Sequence, residues 1–345
     1  MLAILANQLA VLQNLTAEEI QTAVAQLIDE SVAVETKADF LIALAQKGET
    51  PEEIAAFAAA LRERSVPAPI DPGWRDSREI LDVVGTGGDH LSTFNISTTV
   101  AILCAASGVV VAKHGNRAVT SSVGSADVIE ALGIRVDLSP TEAAASLREH
   151  GFAFFFAPNF HPAFKHIGPA RRLCAQRGRR TIFNILGPLL NPARPSAMLV
   201  GVPRPDLCRP MAQALQTLGI RRGMVVAGQA GERHLDELST VGPSQITEFY
   251  QERGVASSVL ELDHFPLQPA TLEDLRGGDK LVNAEIIRRI LAGTERGPKR
   301  DAVLLNASAA LWVAGRVRTL AEGWTLAEET IESGRAKHKL AELAT

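Results

Sequence analysis

The stretch Ile80-Leu81-Asp82-Val83-Val84-Gly85-Thr86-Gly87-Gly88-Asp89 decides the fold. Ile80–Val84 is a short apolar strand that runs straight into Gly85-Thr86-Gly87-Gly88, glycine at three of four positions. The pattern repeats outward from it. Ser97–Ser107 is predicted as a small-residue helix, Val109–Ala112 as a second strand, Ser125–Leu132 as a helix and Ile134–Leu138 as a strand. Ser139-Pro140-Thr141-Glu142 caps a helix to His150, with proline at its first position. Phe152–Phe156 is a fully apolar strand. Met198–Val202 and Met224–Ala227 repeat the theme around a helix near Pro205–Leu218, and Thr325 with Glu328 caps a final helix. Alternation of this kind predicts an α/β domain with a largely parallel sheet.

The residues before this stretch have a different character. Thr16 with Glu19 makes a capping box before Ile20, Ala23, Val24 and Leu27 at helical spacing. A helix is expected over Lys37–Gln46. Thr50 with Glu53 caps another that ends in Arg62-Glu63-Arg64. Pro67, Pro69, Pro72 and Gly73 then break the pattern, a linker signal.

The 345 residues carry 35 Lys+Arg against 39 Asp+Glu, a formal charge of −4, with 46% hydrophobic residues. That is a globular composition, neither disordered nor fibrous. The near-neutral balance argues against a nucleic-acid binder held by bulk charge, and three Trp with one Tyr leave few stacking platforms for bases. Cys104, Cys174 and Cys208 form no CxxC pair and suggest no zinc cluster, so they are expected to be inert thiols in a reducing cytoplasm. No signal peptide is expected. The longest apolar stretch, Val100–Ala112, is too short to span a bilayer and contains Ser107 and Gly108.

The chemistry concentrates between Asp82 and Leu132. Glycines let backbone N–H groups approach an anion closely. Gly85-Thr86-Gly87-Gly88-Asp89 is neither GxGxxG nor a P-loop, and alone it is equally a tight turn. Between Thr86 and Thr99, six of fourteen residues are Ser or Thr. Ser97 or Thr98 can cap the helix that follows, and a helix N-terminus is an anion site. After the second strand comes Lys113-His114-Gly115-Asn116-Arg117, then Thr120-Ser121-Ser122: cations beside a glycine, suited to a polyanion. Far along the chain, Asp236-Glu237 lies between Leu235 and Leu238. Alone such a pair is a solvated surface; beside a polyphosphate it suits Mg²⁺, which takes few carboxylates plus ligand phosphates.

Taken together, Asp82-Val-Val-Gly-Thr-Gly-Gly-Asp89, Asn95-Ile-Ser-Thr98, Lys113-His-Gly-Asn-Arg-Ala118, Gly124-Ser-Ala-Asp127, Arg180-Thr-Ile-Phe-Asn-Ile-Leu-Gly-Pro188 with Asn191-Pro192, and Leu235-Asp-Glu-Leu-Ser239 resemble the anthranilate phosphoribosyltransferases. The motifs stand in family order and, with Lys47-Gly48-Glu49-Thr50, span essentially the whole chain. The resemblance implies a class IV phosphoribosyltransferase fold, similar to the nucleoside phosphorylases. A small all-helical domain, residues 1–68, would be joined by an excursion near 165–185. A large α/β domain with a mostly parallel sheet would occupy 75–345. It also implies a cytoplasmic homodimer that condenses anthranilate with 5-phosphoribosyl 1-pyrophosphate (PRPP), releasing pyrophosphate, in tryptophan biosynthesis with Mg²⁺.

By matching position, the resemblance assigns PRPP to Gly85, Gly88, Asp89, Thr93, Asn95, Ile96, Ser97 and Thr98. It adds Lys113, His114, Gly115, Asn116, Arg117, Ala118, Val119, Thr120, Ser121 and Ser125. It assigns metal to Ser97, Asp236 and Glu237, and anthranilate to Gly85, Asn116 and Arg171, with His114 and Pro158 as lesser candidates. An aryl amine needs positioning more than deprotonation, so no acid, base or nucleophile is expected; Lys113 and Arg171 would act through electrostatics and orientation. Four departures stand out: His90 where glycine commonly follows, Arg233-His234 in place of Asp-Gly, Ser122-Val123 in place of a Lys-Ser pair, and Leu190 in place of Thr. The rivals are a pyrimidine nucleoside phosphorylase-like enzyme, against which the Lys113–Asn116 and Arg180–Pro188 segments speak, and a noncatalytic nucleic-acid-binding relative, disfavoured by the acidic balance and the Asp236-Glu237 pair.

Overall fold

The computed structural model describes residues 1–117 and 123–344. The chain starts with four helices, α1 (Leu2–Ala10), α2 (Ala17–Ile28), α3 (Val34–Lys47) and α4 (Pro51–Arg62). Thr16 and Thr50 each accept the N–H of the glutamate three residues on, at 3.2 Å, closing both capping boxes. Glu53 does more than cap: its buried carboxylate also accepts Leu15 N–H at 2.8 Å and Lys47 Nζ at 2.7 Å, tying α3 and α4 to the link between α1 and α2. After the proline-rich link comes a short α5 (Pro72–Asp76).

From there β1 (Ile80–Gly85), α6 (Ile96–Ala106), β2 (Val110–Gly115), α7 (Ser125–Ala131), α8 (Pro140–His150) and β3 (Phe152–Phe156) follow. Then come α9 (Ala157–Phe160), α10 (Gly168–Gln176), β4 (Ala197–Gly201), α11 (Cys208–Thr217) and β5 (Arg222–Ala230). The chain continues through β6 (Arg233–Leu235), β7 (Ser244–Tyr250) and β8 (Arg253–Leu260), and closes with α12 (Lys280–Leu291), α13 (Pro298–Val313), α14 (Leu320–Glu332) and α15 (Arg335–Leu343). The sheet has eight strands in the order β3-β2-β1-β4-β5-β7-β8, with β6 beside β5. Pairs from β3 through β5 are parallel; β6, β7 and β8 pair antiparallel. The parallel strands are apolar nearly throughout because helices cover both faces.

One face packs on α6 and α13, which α14 and α15 cover from outside. The other, through Met198, Val200 and Val225, is continuous with the helical domain by way of α11, which packs on α4. α10 packs on α3, and Ile167, Ala170, Cys174, Ile182 and Phe183 share one buried cluster with residues of α1 to α4 and of the sheet. The three cysteines are free and buried. Among the described residues no helix is long and apolar enough to cross a membrane.

Three local expectations change. Ile134–Leu138 has the alternating burial of a strand, Ile134, Val136 and Leu138 inward, but pairs in no ladder and is an extended connection. Thr325 starts no helix: it sits inside α14, its hydroxyl on the Ala321 carbonyl, and the cap is Thr319 with Glu322 six residues earlier. α14 is also not last, because Gly334, at φ +78°, turns the chain into α15. Finally, neither Ser97 nor Thr98 caps α6; both lie within its first turn. β7, β8, α12 and α13 were not anticipated.

Candidate active site

Strand order reverses between β1 and β4. From β1 the chain builds outward through β2 and β3; from β4 it builds the other way through β5. Open α/β sheets bind ligands at the carboxyl ends of strands beside such a switch point. Here the two strands end in paired glycines, Gly85 opposite Gly201. A Cβ on Gly85 would lie 2.2 Å from Asp236 Oδ2, and one on Gly201 would lie 1.5 Å from the Asp236 carbonyl oxygen. The two missing side chains make the slot into which the loop after β6 drops Asp236 and Glu237.

The carboxylates are held in that slot by backbone donors. Gly87 N–H donates to Asp236 Oδ2 at 2.7 Å, and Ser97 N–H to Glu237 Oε1 at 3.2 Å. Glu237 therefore does for the first turn of α6 what a local cap would have done. Asn306, buried in α13, fixes the loop from behind: its Oδ1 accepts Leu238 N–H at 2.9 Å while its Nδ2 donates to the Leu238 and Ala302 carbonyls. Burial, reinforced by the charge of Asp89, pushes Asp236 up to about 7. Burial and the charge of Asp236 raise Glu237 well above its ordinary value, with Lys113 pulling the other way.

Lys113 lies inside the sheet, 1% exposed, and its ammonium donates to the Val83 carbonyl at 2.8 Å and to Ser97 Oγ at 3.4 Å. Its charge acts on Glu237 and Asp82 from beneath. Asp82 is fully buried; Asn191 Nδ2 donates to it at 2.8 Å and His114 N–H at 3.4 Å. Asn191 Nδ2 also reaches the Ala112 carbonyl, so the Asn191-Pro192 segment is bolted to β1 and β2.

The glycine turn is left-handed at Gly87 (φ +73°) and Gly88 (φ +82°), and again at His90 (φ +56°) and Ser92 (φ +57°). His90, which stands where the resembled family commonly has glycine, thus occupies a backbone region that glycine accepts more easily. Two arginines brace this turn. Arg180 Nη2 donates to the Gly88 carbonyl at 3.1 Å, and Arg233 Nη2 to those of Asp89 at 2.6 Å and His90 at 2.7 Å. Arg233 is one of the departures from the expected pattern, and it sits against another.

Gly85, Gly88, Asp89, Ser97, Lys113, Asp236 and Glu237 thus converge on one crevice. Asn95 borders it at the start of α6, while Ile96 and Thr98 turn into the core. Thr93 pairs with Arg276. Gly115 makes room for Ser125, whose Oγ would meet a Cβ there at 2.2 Å, and Ser125 Oγ donates to the Asn116 carbonyl at 3.4 Å. Arg117 is committed elsewhere: its guanidinium pairs with Asp127 and Glu130 of α7 at 3.0 and 3.2 Å. Ala118, Val119, Thr120 and Ser121 lie outside the described residues.

Beside the crevice is an aromatic wall. His114 and His161 stack edge to face at 5.4 Å, His161 contacts Phe164, and Phe164 meets Phe183. Arg171 stands over the Phe183 ring at 5.5 Å, half-buried and with no acidic partner among the described residues. Burial lowers its pKa. Pro158 is exposed on α9. Sequence reasoning missed the roles of Gly201, Arg180, Arg233, Asn306 and His161. Asn306 had a signal: a lone amide in the otherwise apolar run of α13.

These features define a two-domain transferase of the glycosyl transferase family. Its helical-bundle model matches residues 2–65 and its a/b-domain model residues 77–337. A curated relative, the anthranilate phosphoribosyltransferase of Petrotoga mobilis, is 43% identical over 96% of this chain and 92% of its own length. That of Geobacter sulfurreducens is 44% identical over 96% of this chain and 95% of its own length. The Thermus thermophilus enzyme structure superimposes with a TM-score of 0.88 at 40% identity, covering 99% of this chain and 98% of that one. The Saccharomyces cerevisiae enzyme in complex with PRPP and Mg gives 0.86 at 27% identity, covering 99% and 96%. This chain belongs to the anthranilate phosphoribosyltransferase family.

Proposed function

We infer that the chain transfers the phosphoribosyl group of PRPP to the amine of anthranilate, giving N-(5-phosphoribosyl)anthranilate and pyrophosphate in tryptophan biosynthesis. The observation that carries this is the switch-point crevice: a glycine turn rich in backbone donors facing paired carboxylates, with the Arg171 guanidinium, which has no acidic partner among the described residues, at the end of the aromatic wall.

The carboxylates fit a divalent cation. Asp236 and Glu237, with Asp89 close by, are both pushed toward their protonated forms, and Lys113 is the cation that faces them. That excess of negative charge is what Mg²⁺ would relieve. Two carboxylates held in one slot suit an ion that takes few protein ligands plus substrate phosphates. Asp236, Glu237 and the Ser97 hydroxyl would hold it. When bound, Mg²⁺ supplies neutralisation of pyrophosphate charge.

The residues of the chain then divide the work. Backbone donors of the 85–89 turn, with Asn95 and Ser97 at the start of α6, receive the donor's phosphates, with the Gly115–Asn116 backbone and Ser125 on the other side. Arg171 takes the carboxylate of anthranilate, a task its planar fork suits. Gly85, Asn116, His114 and Pro158 complete that subsite, so that the amine faces the anomeric carbon. There the bond to the amine nitrogen forms as the bond to pyrophosphate breaks, through an oxocarbenium-like state, and the proton shed by the nitrogen passes to the departing pyrophosphate or to water; the gain is orientation and electrostatics. Lys113, beneath the floor, is the positive charge that opposes protonation of Glu237. Because the nucleophile is a neutral amine, no side chain is needed as a strong base.

A homodimer is part of the same reading. Supporting it, Met1, Ile4, Val11 and Leu12 are 60 to 72% exposed on and beside α1. Sedimentation velocity tests it. A cytoplasmic setting agrees with three unpaired thiols. Transfer itself is tested by following the loss of anthranilate fluorescence with PRPP and Mg²⁺.

A further inference from the structure

We propose that Asn283, on α12, is a positioning residue for the sugar donor: it locks the side-chain amide of Asn95 so that its NH2 group, and not its oxygen, faces the PRPP crevice. This rests on the PRPP reading of that crevice.

The C-terminal half of the chain grips the loop before α6. Phe94 N–H donates to the Leu275 carbonyl at 3.1 Å and Gly277 N–H to the Ser92 carbonyl at 3.0 Å, with Thr93 and Arg276 bridged between them. The approach is close enough that a Cβ on Gly277 would lie 2.5 Å from Asn283 Oδ1 and 2.8 Å from Phe94 Cα. Asn283 stands over this junction, 2% exposed.

Its orientation follows from what surrounds it. Gly278 N–H meets the Asn283 side chain at 2.8 Å, and an N–H can only be accepted by oxygen, so Oδ1 points there. Nδ2 is then left facing Asn95 at 3.0 Å, and an NH2 group can only be accepted by Asn95 Oδ1. Asn95 is half-buried, and its Nδ2 has no partner among the described residues. A second observation agrees. Asn95 occupies the N-cap position of α6, where asparagine is among the best cappers, yet its side chain makes no cap hydrogen bond. It has exchanged that bond for the one to Asn283. Phosphate and ribose-phosphate oxygens are acceptors, so an outward NH2 attracts the donor and an outward carbonyl oxygen repels it.

The test is Asn283→Asp. The carboxylate is isosteric and still accepts Gly278 N–H, but cannot donate to Asn95, whose amide is free to turn over. The expected result is a rise of at least tenfold in the KM for PRPP, with the KM for anthranilate unchanged and the thermal midpoint within a few degrees of the parent. In an Asn95→Ala background the same substitution should change the PRPP KM by less than twofold. Asn283→Ser, which accepts but cannot hold Asn95, should give a smaller rise and serves if the aspartate variant does not fold. A PRPP KM equal to the parent's in both variants overturns the proposal. So does an equal rise in the Asn95→Ala background, which would make the effect one of added charge or general loosening. A parent enzyme that turns over with no use of PRPP would overturn the donor reading on which the proposal stands.

Discussion

Glu237 Oε1 accepts the backbone N–H of Ser97 at 3.2 Å across 140 residues of sequence. The bond makes the proposed metal carboxylate also the cap of α6, so the acid pair and the donor loop are set by one contact. Glu237→Gln keeps an oxygen for that N–H and removes the charge. Because the site holds Glu237 well above its ordinary pKa, the ionised form is costly there. The variant should therefore fold with an equal or higher thermal midpoint while turnover at saturating PRPP and Mg²⁺ falls at least a hundredfold. Calorimetric melting and steady-state rates check both halves; retained turnover would remove Glu237 from the machinery.

Gly85→Ala tests the slot itself. Its Cβ would press on Asp236 at 2.2 Å from Oδ2 and 2.8 Å from Cγ, so the side chain must swing off Gly87 N–H. Activity should drop at least tenfold with the circular dichroism spectrum unchanged and with a higher Mg²⁺ concentration needed for half-maximal rate. An unaltered Mg²⁺ dependence would show that Asp236 does not need this slot.

Arg171 is half-buried over Phe183 and lacks an acidic partner among the described residues, which leaves its charge for a ligand. Arg171→Ala should weaken anthranilate binding by about 1.5–3 kcal/mol, the range for a charged hydrogen bond. That is about ten- to a hundredfold by titration calorimetry. PRPP affinity should be retained, and Arg171→Lys should recover only part of the loss, since an ammonium cannot make the paired contacts of a guanidinium.

The His114–His161 pair gives the fold an acid-sensitive spot. Burial, with the neighbouring His161 adding to it, pushes His114 down to about 3; burial pushes His161 down to about 4. Above pH 6.5 both are neutral folded or unfolded and add no slope. As pH falls through 6.5 the unfolded chain takes up protons that the folded chain refuses, so stability is lost down to about pH 4, where His161 itself titrates. For His161 alone that amounts to about 3 kcal/mol. Asp82, raised to about 6 by burial, works in the opposite sense between 6 and 4. His161→Gln should flatten the decline of the thermal midpoint between pH 6.5 and 4.5 relative to the parent. Parallel declines would contradict the assignment.

Much of the architecture was legible in the sequence, for identifiable reasons. Local rules fixed α2, α4 and α8, whose Thr or Ser caps and glutamates three residues on all form boxes. Continuous apolar runs marked β1, β3 and β4 because parallel strands are covered on both faces. β8 escaped because it is an edge strand exposed along most of its length, without an apolar signature. Ile134–Leu138 misled because alternation reports burial of one face, not a hydrogen-bonded neighbour. At the site, residue types carried the glycine turn and the acid pair. No local rule places Gly201 under Asp236 or Asn283 against Asn95, since each depends on strand order or on helices far along the chain. Likewise the cap of α6 came from Glu237, while Ser97 and Thr98 looked sufficient by themselves.

The central claim is that the switch-point crevice joins PRPP to anthranilate. The most direct measurement follows anthranilate fluorescence in a mixture of the purified protein, PRPP and Mg²⁺, with pyrophosphate measured in parallel. The account predicts loss of anthranilate and release of pyrophosphate in one-to-one ratio, abolished by chelating the metal. Anthranilate left intact, while the protein cleaves a pyrimidine nucleoside with inorganic phosphate, would contradict it.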